Sequence, residues 1–194
     1  METGFFALFS KKVISAIIAV GSMFYSTIDG VTPSMNPPEL RYKNDYVFVS
    51  TTIQNCFTEE LDQLFFSGHT IPINFSVELY RGNSKGPDTT FSFYHTLKYS
   101  PIGNDFTVYY SERNETITSL NIDQAKVLFP RIVNYQVLSS NLIGANSQYY
   151  FKITAWLNKI QLEGMDEELN LLYYWNSIKP NSKSIVFSKA DFQI

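Results

Sequence analysis

The sequence predicts a mainly β domain, an antiparallel β-sandwich of about eight strands with two short helical inserts. Three observations carry this. The chain holds 16 Phe, 13 Tyr and 2 Trp among 194 residues, and aromatic and β-branched residues suit pleated, half-buried surfaces. Several stretches alternate apolar and polar residues with a period of two, the mark of a strand with one covered face. The breaks between them have the length of antiparallel turns, and sheets that each cover one face stack in pairs.

Residues 1–30 read as an export signal or an uncleaved N-terminal anchor. Lys11-Lys12 precedes the apolar and small-residue run Val13-Ile14-Ser15-Ala16-Ile17-Ile18-Ala19-Val20. A basic start, a short apolar core and a polar processing zone make a secretory signal. The run to Ile28 falls short of the roughly 20 apolar residues of a membrane span and contains Ser15, Gly21, Ser22, Ser26 and Thr27. Ser22 ends a candidate cleavage site. If the segment stays, the basic side remains cytoplasmic and the domain lies outside. Either way the domain is expected in the periplasm or on the outer face of the inner membrane, touching the membrane only through an uncleaved segment. Residues 31–38, with Pro33, Pro37 and Pro38, read as a linker, and residues 39–194 as one domain.

Within the domain, Arg41–Lys43 and Tyr46–Ile53 flank the turn pair Asn44-Asp45 and predict a hairpin. Thr58 to Gly68 predicts a short helix. Thr58 is its cap, Glu59 and Glu60 lie in the first turn, and Gly68 ends it. Ile71, Ile73, Phe75, Val77 and Leu79 form the clearest strand face, followed across a turn by Thr89–Ser100 with Phe91, Phe93, His95, Leu97 and Tyr99 on one face. Residues 106–110 return as the partner strand. Residues 119–129 predict a second helix ending at Pro130. Residues 131–138, 148–162, Leu169–Trp175 and Ser184–Phe187 predict the remaining strands, with a turn at Lys179-Pro180-Asn181-Ser182.

Charge and chemistry narrow the function. The chain has 15 Lys+Arg against 18 Asp+Glu. A mildly acidic chain with no basic block is a poor nucleic-acid binder, so no nucleic acid is expected. Cys56 is the single cysteine, so no intrachain disulfide forms. It also lies far from the apolar run, which disfavours lipid anchoring. No phosphate loop, nucleophile elbow, His-Glu-x-x-His or Cys-x-x-Cys is present. His69 and His95 are the only histidines, and with Cys56 they make only three N or S ligands, scattered along the chain, which argues against a zinc site. No cofactor, metal site or catalytic constellation is expected.

His95 is the oddity, an imidazole on an apolar strand face. Its simplest role is a buried ring bonded to backbone; the alternative is a base in a hydrolase. His69 reads as a partner of the preceding helix end, and Cys56 as a small buried hydrophobe. Asp166-Glu167-Glu168 reads as a solvated turn. Three tyrosine doublets stand out, Tyr109-Tyr110, Tyr149-Tyr150 and Tyr173-Tyr174. One member of each strand doublet points outward. Tyr110, Tyr150 and Tyr174 are therefore the candidate interaction surface, since exposed Tyr is enriched at interfaces.

The order of these pieces resembles a bacterial family, the domain-of-unknown-function family 4390. The resemblance rests on Glu39-Leu40-Arg41 with Tyr46-Val47-Phe48-Val49, the Thr58-Glu59-Glu60-Leu61 helix ending in Ser67-Gly68, and the Ile71-Pro72-Ile73 strand start. Phe93-Tyr94-His95-Thr96-Leu97-Lys98-Tyr99, Tyr149-Tyr150-Phe151-Lys152-Ile153 and the segment to Trp175 continue it over residues 39–188. It implies an exported β-rich protein and assigns no functional residue. The Asn, Ile, Lys and Tyr usage suggests an AT-rich genome, such as a spirochaete's. The sequence thus points to a non-catalytic, exported envelope module that binds a protein or another envelope component. The alternative is a carrier of a hydrophobic ligand or lipid, which needs a cavity lined by Phe75, Phe91 or Phe93.

Overall fold

A computed structural model describes residues 29–162 and 168–192. The expected export segment therefore lies, but for Asp29 and Gly30, outside the described residues, as do Asp166 and Glu167. No helix among the described residues is long and apolar enough to cross a membrane.

The fold is the predicted antiparallel sandwich. One sheet is built on β3 (Tyr46–Gln54). The strand β8 (Arg131–Ser139) pairs along one edge of β3. Along the other edge, β1 (Ser34–Met35) and β2 (Glu39–Lys43) lie end to end. Val47, Val49 and Ile53 of β3 point into the core, while Ser50, Thr52 and Gln54 occupy the alternate, outward positions. The turn between β2 and β3 places Asn44 and Asp45 at φ 50° and 64°, as the tightest hairpin turns require.

The larger sheet runs β12/β13–β9–β4–β5–β6–β7. Its strands are β4 (Ile71–Arg81), β5 (Thr89–Ser100), β6 (Asp105–Tyr110), β7 (Glu115–Leu120), β9 (Gln148–Leu157), β12 (Asn181–Lys183) and β13 (Phe187–Ser188). The two strands with the cleanest alternation, β4 and β9, pair at the centre from Ile73↔Leu157 to Arg81↔Tyr149. Their inward residues, including Phe75, Val77, Phe151, Ile153 and Ala155, are fully buried. Phe93 of the large sheet meets Tyr135 of β8 with ring centroids 4.7 Å apart, so aromatic contact joins the two layers.

Both predicted helices are present. The first, α1 (Glu59–Phe65), is capped by Thr58, whose hydroxyl accepts from the Leu61 amide at 3.0 Å. It buries Leu61, Leu64 and Phe65, and Gly68 beyond it takes φ 84°. The second, α2 (Ile122–Leu128), starts later than the expected 119–129. Asn121 and Gln124 cap it reciprocally, and residues 115–120 form the edge strand β7. That strand buries only Leu120 along its length, so it carries no alternation to read.

Other expectations are corrected in the same way. Residues 31–38 are not a free linker. Met35 is buried and paired with Ile53, and the Val31 amide donates to the Tyr174 carbonyl at 2.9 Å. The stretch 148–162 breaks at Asn158 into β9 and the short β10 (Lys159–Gln161), which pairs with β11 (Glu168–Asn170). Leu171–Trp175 is a 3-10 helix rather than a strand. A continuous apolar run fits either period, and here Leu171, Tyr174 and Trp175 bury one helical side. At the sheet edge, Ser184–Val186 bulges between β12 and β13, and the Ser184 hydroxyl accepts from the Phe151 amide at 2.9 Å.

Candidate functional site

His95 sits in the middle of β5 with its ring fully buried. Phe75, Phe93 and Tyr110 surround it, with ring centroids at 4.7, 5.8 and 4.6 Å. Its Nδ1 lies 2.9 Å from the carbonyl oxygen of Phe129. A carbonyl only accepts, so Nδ1 carries a hydrogen. The last carbonyls of a helix have no partner within it. Here His95 serves Phe129 and the Tyr110 hydroxyl donates to Leu128 at 3.2 Å. The backbone-bonded ring is the role the sequence favoured.

The sequence did not point to Glu112. It lies in the turn after β6, its side chain tucks back into the interior, and its Oε1 stands 3.3 Å from His95 Nε2. Because Nδ1–H is committed to Phe129, two proton placements satisfy this contact. Either Nε2–H donates to a carboxylate, or a carboxylic acid donates to a neutral ring. In both, the pair holds one shared proton and has no net charge, which is how a buried carboxylate escapes its desolvation cost. The second oxygen, Oε2, is buried without a hydrogen-bond partner. Arg113 covers the pair from the surface. Its Nε stands 3.6 Å from Glu112 and 3.1 Å from Glu115, and its guanidinium lies 4.2 Å over the Tyr110 ring. With both ring nitrogens occupied and the ring sealed, His95 ties α2 to the large sheet.

The tyrosine doublets divide differently from the expected surface. Tyr110 stands opposite His95 in the β5–β6 register, so it faces inward and is buried. Tyr174 lies on the 3-10 helix, where strand alternation does not apply, and is fully buried. Burial, reinforced by Glu60, pushes its phenol up to about 12. Neither residue is surface. Tyr150 does lie on the outer face, stacked on Tyr80 at 5.2 Å with the Lys183 amine 5.0 Å over its ring. The exposed member of the last doublet is Tyr173.

His69 Nδ1 lies 2.8 Å from the Ser67 hydroxyl, which donates to Leu64 at the end of α1. Cys56 is buried, and burial pushes its thiol up to about 12. Its carbonyl accepts from Trp175 Nε1 at 2.9 Å. Phe75 stacks on Phe93 at 5.3 Å inside the sandwich, so side chains fill the space a lipid would need at that point. Among the described residues no group of three or more His, Cys, Asp or Glu is placed to hold a metal ion.

An open concavity lies elsewhere, on the outside of the small sheet. A groove of about 730 Å³ runs from β2 across β3 to β8 and α2. Ser50, Thr52 and Gln54 form its floor. Pro37, Phe57, Val127, Pro130 and Val133 supply apolar wall. Arg41, Lys126 and Arg131 line it against one acid, Glu39. Lys126 is bridged to Asp62. Among the described residues, no carboxylate lies within ion-pair reach of Arg41 or Arg131. The sequence hides this groove because its residues are spread from 36 to 134 and each is ordinary alone. Their meeting depends on β8 returning beside β3 from far along the chain.

Residues 34–164 match the family described as Domain of unknown function (DUF4390). The chain matches no curated protein and no solved structure.

Proposed function

The chain belongs to the DUF4390 family, and on that footing we propose that it is an exported, non-catalytic binding module of the bacterial envelope. Its ligand is a protein or another envelope component. The observation that carries the reading is the groove on the small sheet, a concave surface of mixed polarity with two guanidinium groups that meet no carboxylate among the described residues. Binding sites are concave, with a few placed polar groups among apolar wall. The basic and apolar run at residues 11–25 supports export.

The test places a photo-crosslinking residue at Thr52, on the groove floor, in the native organism. A second position, Thr96, lies on the far face of the large sheet and serves as control. A discrete crosslinked envelope component at Thr52 and none at Thr96 is the expected result. No adduct above background at Thr52, or the same adducts at both positions, would overturn the reading. Sequencing the N-terminus of the mature protein checks export separately. A first residue near Met23 is expected after cleavage, and an intact Met1 in a cytoplasmic fraction would contradict it.

A further inference from the structure

We propose that the groove receives an acidic peptide segment in extended conformation, with two carboxylates four residues apart. This deepens the binding reading and rests on it. The argument begins from register. Arg41 pairs with Phe48 on one side of β3, and Arg131 pairs with Thr52 on the other. The two arginines are thus offset by four residues along β3, about 13 Å, and by two strand spacings across it, about 10 Å, which sets their Cα atoms about 16 Å apart. Carboxylates at positions i and i+4 of an extended peptide are about 13 Å apart and point to the same side, and two long arginine side chains can make up the remaining few ångströms.

The charge balance favours an acidic partner. The groove carries three cations and one acid within a chain of formal net charge -3. Arg41 and Arg131 are exposed and have no carboxylate partner among the described residues. A planar guanidinium takes a carboxylate through two parallel bonds. Ser50 lies between them, Thr52 is level with Arg131 and Gln54 continues the floor beyond it, all neutral hydrogen-bonding groups beside apolar wall. A phosphate polymer would call for cations along the whole groove. A neutral hydrogen-bonding floor beside apolar wall suits a peptide backbone with small apolar side chains between the acids.

The full chain is screened against a displayed library of random octapeptides, and selected peptides are labelled for fluorescence anisotropy. The expected result is enrichment of Asp or Glu at two positions four apart. Added salt should weaken binding, because the pairs are exposed. The R41E/R131E variant should weaken it about tenfold or more, while K98E on the opposite sheet leaves it unchanged. If charge reversal disturbs folding by circular dichroism, R41Q/R131Q replaces it, with a several-fold loss expected. No enrichment, enrichment without acidic pairs, or equal loss in K98E would overturn the proposal. So would displacement of the peptide by tripolyphosphate at equal charge concentration, which would mark a simple anion site. A partner crosslinked through Thr52 but no acidic selection would sink this inference alone. Absence of any crosslinked partner would sink the binding reading beneath it.

Discussion

Replacing Glu112 by alanine tests the buried proton-sharing pair most directly. The substitution leaves His95 Nε2 in the interior without the partner it meets at 3.3 Å. An unsatisfied buried group costs about 1–3 kcal/mol, and breaking a buried ion pair about 3–5 kcal/mol. A loss of about 3 kcal/mol is expected for E112A. E112Q behaves differently. Its amide donates to a neutral ring, and its oxygen takes the place of Oε2, which already lacks a partner. The expected cost is about 1 kcal/mol or less, one ordinary hydrogen-bond difference. Urea unfolding followed by tryptophan fluorescence reads both, because Trp175 is fully buried. At a denaturant slope of about 2 kcal/mol/M, E112A should lower the midpoint by about 1.5 M and E112Q by about 0.5 M or less. A double-mutant cycle with H95A should return a coupling above about 1 kcal/mol. Equal losses for E112A and E112Q, or additive losses in the cycle, would refute the shared-proton account.

Three further outcomes follow from the same geometry. Cys56 should resist maleimide at pH 8 in the folded protein and react at once in urea, because burial pushes the thiol up to about 12; prompt labelling of the native protein would contradict its placement. Stability should fall as the solution turns strongly alkaline. Tyr174 has a folded value of about 12 against an ordinary 10, so its contribution is whole below pH 10 and is lost as pH rises through 12. At 1.36 kcal/mol per unit this is about 2–3 kcal/mol for a fully buried ring, with Tyr42, also raised to about 12, adding in the same direction. Urea midpoints that stay level from pH 9 to pH 12 would argue against both. A Gly30→Ala change should loosen the start of the domain, since a Cβ there would sit 2.5 Å from the Tyr173 carbonyl and would clash with Asn176 Oδ1. Faster hydrogen exchange at the Val31 amide is the readout, and unchanged protection would show the contact to be dispensable.

The strands that were legible share one property: each covers the core with one face. In β4, Ile71 through Leu79 alternate without a fault, and the sequence carries the same signal in β9. The hairpin at Asn44-Asp45 and the Thr58 cap were legible because each depends on local chemistry. What failed was either edge or context. β7 buries one residue, so nothing periodic marks it. Leu171–Trp175 is apolar on both periods, and burial of Tyr174 and Trp175 against distant elements decided for the 3-10 turn. His95 was visible as an anomaly, but its partner Glu112 was not. A glutamate in a turn looks like any solvated charge until the hairpin folds it under. The groove was the least legible, since arginines 41 and 131 come to one face of one sheet only through β3.

The way the chain enters the domain bears on how the module is held. Gly30 and Val31 are fastened to Tyr174 and Asn176 by a backbone bond of 2.9 Å and a side-chain bond of 3.0 Å, and Ser34 and Met35 are laddered to β3 immediately afterwards. Among the described residues, the entry from Gly30 to Met35 is bonded to the domain. A domain on a slack leash samples every orientation and finds its partner by chance encounter. One gripped from Gly30 onward carries those entry residues with it as part of the same body. Because β1 lies on the same β3 strand that floors the groove, tilting that entry would tilt the groove with it.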